Sequence, residues 1–171
     1  MPGSHVLLQY GADPWAMRFE DLESRLAFTT SLLEEQPNLL LRLTREQTWS
    51  QQHPDIMGPS SSFFYFGPSR SPGHLAYGNS APQPMINSMR RKRDANTRFF
   101  VTQSGKEYKW RLSPTKCECF DGKNAVVAIW ELAQRSDPSY ARLTLKQAAL
   151  PIVTELLTAF TLNRISETLK W

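Results

Sequence analysis

The stretch PIVTELLTAFTL, residues 151 to 162, limits the possible folds more than any other part of the chain. Pro151 suits the first turn of a helix, where its missing N–H leaves nothing unsatisfied. Beyond it Ile152, Val153, Leu156, Leu157, Ala159, Phe160 and Leu162 spread around most of a helical circumference. Only Glu155 and three threonines interrupt them. A helix apolar on nearly every side must be buried. It is also well short of the ~18–20 apolar residues that a membrane span requires. The rest of the chain therefore has to enclose it. The following NRISETLKW is amphipathic and is expected to emerge towards solvent.

The enclosing material reads as an antiparallel meander. In TRFFVTQSGKEYKWRLS, residues 97 to 113, two short β-type runs flank Ser104-Gly105. Tyr108, Trp110 and Leu112 alternate there with Glu107, Lys109 and Arg111, as on a half-buried strand. TKCECF, the turn signal Asp121-Gly122 and AVVAIWEL form a second hairpin. In YARLTLK, Leu143 and Leu145 oppose Arg142, Thr144 and Lys146. SFFYF at 62 to 66 and HLAYG at 74 to 78 are further short runs within a Pro-, Gly- and Ser-rich region. The stretch WAMRFEDLESRLAFTT has two readings. Trp15, Phe19, Leu22 and Leu26 have helical spacing, yet the same residues also read as two strands around EDLES. A helix with its side chains is ~10–12 Å across, wider than a self-filled eight-stranded barrel can hold. A wider barrel, or an open sheet covered by other elements, would house it.

At 171 residues, with 40% hydrophobic and 21% charged content, the chain fits one globular domain spanning residues 1 to 171. The N-terminus has no charged region followed by a long apolar stretch, and Pro2 is incompatible with N-myristoylation. Cys117 and Cys119 would project from one face of a strand with Cα atoms ~6.5–7 Å apart, poor spacing for a disulfide. The expectation is an intracellular, cytoplasmic protein, membrane-peripheral or nuclear in its variants.

Net charge is +4, but it is concentrated. Between Met89 and Arg111 there are eight Lys or Arg against two acids, an excess of six that leaves the remainder net negative. Arg90, Arg91, Lys92 and Arg93 form a run, and Lys109 and Arg111 fall on the outer face of the neighbouring strand. Arginine suits phosphate because its planar fork donates two parallel hydrogen bonds. These six residues are the candidate site for an anionic headgroup; the plain alternative is a solvated loop, and a third is nucleic-acid contact or nuclear import. No catalytic motif is present: SGKEY and DGKNA lack the remaining residues of a phosphate loop. His5, His53 and His74 show no ligand spacing, so no metal and no cofactor is expected. Glu155 reads either as a buried acid with a raised pKa or, more simply, as the helix's least covered side.

Arg98, Phe100, Gly105, Tyr108 and Trp110 form an R-x-F, G-x-x-Y-x-W pattern. With C-E-C-F, VVAIWE and the terminal helix it resembles a domain family of mushroom-forming fungi, across residues 97 to 167 and more weakly from Trp15 to Gly78. That family is similar to the tubby C-terminal, LURP-one-related and scramblase-like fold. The resemblance implies a mainly β fold, an antiparallel closed barrel enclosing the hydrophobic C-terminal helix, and strands rather than a helix near residue 20. It implies a non-enzymatic binding module, with phosphoinositides at a cytoplasmic membrane surface as the expected partner. A nucleic-acid binder is the alternative, and an enzyme with an unmarked site the third.

Overall fold

The computed structural model describes residues 3 to 78, 80 to 91 and 96 to 171. Its strands fall into two consecutive meanders. The first comprises β1 (Ser4–Tyr10), β2 (Arg18–Asp21), β3 (Leu26–Glu34) and β4 (Leu40–Arg45). It continues, after the short helix α1 (Gln47–Ser50), with β5 (Ser61–Tyr65), β6 (His74–Tyr77) and β7 (Gln83–Pro84). The second comprises β8 (Thr97–Val101), β9 (Glu107–Arg111), β10 (Lys116–Phe120), β11 (Val126–Leu132) and β12 (Ala141–Lys146). A 3-10 turn, Gln147–Ile152, then leads into α2 (Val153–Leu169). Pro151 thus sits in the 3-10 turn that feeds the helix.

β12 returns beside β1, so both meanders join in one 12-stranded antiparallel sheet. Residues 15 to 30 hold no helix: β2 and the start of β3 flank a turn at Leu22 and Glu23. The helical spacing fails because Leu22, which would lie on the buried face, is 66% exposed at the tip of the β2–β3 turn.

The sheet wraps around α2, and groups from widely separated strands reach it. Arg45 of β4 donates to Thr154 Oγ1 at 3.2 Å, and Ser62 of β5 lies 2.7 Å from Thr158 Oγ1. Across the helix, Trp110 of β9 donates from Nε1 to the Leu156 carbonyl at 3.1 Å. The Trp110 and Trp130 rings stand 4.9 and 5.4 Å from Phe160. Every residue from Val153 to Asn163 is buried, as are Ile165 and Ser166, and the helix emerges from Glu167 onwards. Three of its polar side chains are served locally, Thr158 donating to the Thr154 carbonyl, Asn163 to that of Ala159 and Ser166 to that of Asn163. Thr161 Oγ1 and Asn163 Oδ1, by contrast, are buried without a partner among the described residues.

Hydrogen bonds do not close the sheet. β7 and β8 are its edges, and the 3-10 turn Met85–Ser88 lies between them, packed against both and against α2. The turn is fixed by buried Met85, by the Met85 N–H on the Gly73 carbonyl at 2.9 Å, and by Asn163 donating to the Ser88 carbonyl at 3.1 Å. β7 is two residues long, and its Pro84 has no N–H to give to a neighbouring strand. The edge is therefore blunted chemically, and a compact turn takes the place of a final ladder.

Candidate functional site

Alternation along β8, β9 and β10 sorts the side chains cleanly. Phe100, Tyr108, Trp110, Cys117 and Cys119 are buried towards the helix. Outside, residues directly opposite one another share a face. Arg90 bridges to Phe99, Phe99 pairs with Lys109, and Lys109 pairs with Phe120. The next row is Thr97, Arg111 and Glu118; the row on the other side is Val101 and Glu107. The Lys109 ammonium and the Arg111 guanidinium lie 5.7 and 4.7 Å from the centroid of the Phe120 ring. Their stems cover that ring, leaving Phe120 8% exposed, while their charges stay in solvent.

Of the six residues expected to form one patch, the structure gathers Arg90, Lys109 and Arg111. Arg91 turns away, its Nη2 3.5 Å from the Trp171 carbonyl oxygen. Lys92 and Arg93 lie outside the described residues. The gathered charge is partly offset. Arg90 Nη2 is 2.9 Å from Glu107 Oε1, both side chains about half exposed, and Glu118 stands opposite Arg111. An exposed pair of this kind contributes little to stability but lowers the local positive potential.

A second polar cluster lies inside, where α2 begins. Glu155 is 4% exposed, so it is a buried acid and does not mark an uncovered side of the helix. Burial pushes its carboxyl pKa up, and the Gln103 N–H, 2.5 Å from Oε2, partly counters this. Gly58, at φ +81°, passes close to the same group: a Cβ there would meet Glu155 Oε1 at 3.4 Å. Tyr77 is also raised, first by burial and then by the Glu155 charge, against a hydrogen bond with Thr158. Arg45 donates to the Met57 and Pro59 carbonyls, each at 3.1 Å, and burial lowers its pKa. These groups tie residues 57 to 59 and the turn after β8 to the helix start. Their polar atoms are engaged with one another and with backbone, which is a structural use.

The fold also assembles two features that the sequence keeps apart. His5 and His53, isolated in sequence, meet edge to face with ring centroids 4.8 Å apart. His5 Nε2 is 2.9 Å from Gln147 Oε1, and Gln147 also bonds Asp55. Burial, followed by the neighbouring His5, lowers the His53 pKa. Among the described residues no group of three or more His, Cys, Asp or Glu could hold a metal ion. At the far end of α2, Arg98 and Arg164 line a cavity of about 440 Å³ with Asn96, Leu112, Ser113, Pro114 and Glu167. Arg98 points inwards and is 7% exposed, so this cation belongs to the interior and not to the outer patch.

Comparison with family models, with curated proteins and with solved structures finds no match to this chain. Among the described residues no helix is long and apolar enough to cross a membrane.

Proposed function

We propose that the protein is a non-enzymatic binding module of tubby-like type that docks to anionic lipid headgroups through the outer face of β8 to β10. The observation that carries this reading is the convergence of Arg90, Lys109 and Arg111 on one face, with the last two held over Phe120. Cations fixed on a rigid sheet lose little freedom on binding, so less of their attraction is offset by ordering. Each basic residue near an anionic leaflet contributes ~1 kcal/mol, enough in combination for reversible attachment. A barrel-like wrap supports the tubby comparison, because the sheet surrounds a buried C-terminal helix and its two edges flank the same turn. Phosphoinositides present the phosphates that Arg forks bind bidentately, and a cytoplasmic membrane face is where they would be met.

Nucleic acid fits this face less well. Single-strand binders stack bases on open aromatic rings beside their cations. Here Phe120 is covered by the cations themselves, and Phe99 is half-buried between Arg90 and Lys109.

Vesicle sedimentation at two salt concentrations tests the proposal, with wild type beside Lys109→Ser/Arg111→Ser and a second variant carrying Ser at residues 90 to 93. Wild type should pellet with phosphoinositide-containing vesicles, more weakly at high salt because screening shortens the reach of exposed charge to about 8 Å. Both variants should lose most of that binding. Equal pelleting of all three, or retention of single-stranded RNA in place of vesicles, would refute the reading.

A further inference from the structure

We propose that Ile86 and Val101 are apolar anchors that enter an anionic bilayer when the basic face docks, an inference that rests on the anionic-surface reading above. The two are unusually open for their type, Ile86 at 61% and Val101 at 46% exposure. Both border the basic face. Val101 follows Phe99 by two residues on the outer side of β8 and lies opposite Glu107. Ile86 projects from the 3-10 turn packed along β8, and its carbonyl accepts the Met89 N–H at 3.2 Å. Val101 also lines a cavity of about 310 Å³ with Gln83, Arg90, and Asn87 and Ser88 at the end of the Ile86 turn.

Three features suit this pair to a bilayer surface. The first is rigidity: Met85, directly before Ile86, is fully buried, and Asn163 of α2 holds the Ser88 carbonyl. Ile86 is therefore displayed by a fixed turn, and little conformational entropy is lost on insertion. The second is local neutrality. Among the described residues Arg90 and Glu107 pair at 2.9 Å beside Val101, so their opposite charges largely offset one another next to that anchor. The third is complementarity, since Lys109 and Arg111 lie farther along the same face, at the depth where headgroup phosphates would sit. The result is a pair of exposed apolar side chains beside cations, the arrangement of side chains that lie at a membrane interface.

The test uses the full chain with the phosphoinositide-containing vesicles of the sedimentation assay above. Ile86→Cys and Val101→Cys are labelled with an environment-sensitive fluorophore, with Leu22→Cys on the β2–β3 turn as the control. Native Cys117 and Cys119 are fully buried with raised thiol pKa values, so labelling is confined to the introduced site. Vesicles should shift emission to the blue at positions 86 and 101 and leave it unchanged at 22. An unlabelled Ile86→Ser/Val101→Ser variant should bind tenfold or more weakly, with the loss persisting at high salt where charge is screened. If wild type pellets while the probes at 86 and 101 stay silent, insertion is overturned and electrostatic docking survives. If wild type does not pellet at either salt concentration, both readings fall.

Discussion

Replacing Leu156 with Ala probes whether α2 is enclosed or merely covered. Leu156 is fully buried, its own carbonyl is held by Trp110 Nε1 at 3.1 Å, and the Trp110 and Trp130 rings flank Phe160 one turn on. Removing three carbons from a buried leucine loses about 2.4 kcal/mol of transfer free energy at ~0.8 kcal/mol each. A cavity term adds to this where the surroundings cannot collapse. Strands hydrogen-bonded on both sides cannot move inwards without breaking ladders, so relaxation should be small. The expected cost lies in the upper part of the measured range, about 3–5 kcal/mol. Urea unfolding followed by tryptophan fluorescence should show a lower midpoint at an unchanged slope, because the surface exposed on unfolding hardly alters. For a domain of this size the melting temperature should fall by about 6–20 °C. A loss below ~1 kcal/mol would refute enclosure, because only a site that closes over the missing atoms loses so little.

Two further predictions concern buried titrating groups. The Glu155 pKa is raised by burial, so the folded protein holds that proton more tightly than the unfolded chain does. Stability should therefore fall as pH rises from the ordinary carboxylate range through the raised value, and then level off. Glu155→Gln keeps an acceptor for the Gln103 N–H, so it should gain on wild type over that window in denaturation curves taken at several pH values; a constant difference would contradict the assignment. Cys117 and Cys119, buried with raised pKa values, should resist a thiol-specific reagent in the native state and react on unfolding.

Strands that put polar residues out and apolar residues in were legible in the sequence, as β9 and β12 show. β1 was not, because its pattern is inverted. Val6 and Leu8 face outwards half-buried, while polar Gln9 points inwards and accepts the Trp130 Nε1–H at 2.7 Å. The barrel expectation located the helix but not the seam, since two-residue β7 and its proline become an edge only once strand order is known. The candidate site was half legible. Local charge density is a property of sequence, whereas the Arg90–Glu107 pair and the departure of Arg91 towards Trp171 depend on register and on the path of the helix. The His5–His53 contact lies further out of reach, because its partners come from a strand and a distant loop.

The ladder between β1 and β12 has a consequence for how the protein is made. Among the described residues it is the one strand ladder that joins the two meanders, pairing Ser4 with Lys146 and Gln9 with Ala141. The helix that fills the interior follows β12 in the chain. On a ribosome, β1 to β7 therefore emerge with neither their neighbour for β1 nor the apolar body they surround. Beyond contacts within the meander, such as the Phe28 ring 5.6 Å from Trp49, their inward faces, with Phe19, Leu41, Leu43 and Phe64, lack the helix they surround until it has been made. Distant pairings are slow to form because the intervening chain must first be ordered. Folding of this protein should thus wait for the helix, with a sticky nascent state that relies on chaperones until it arrives.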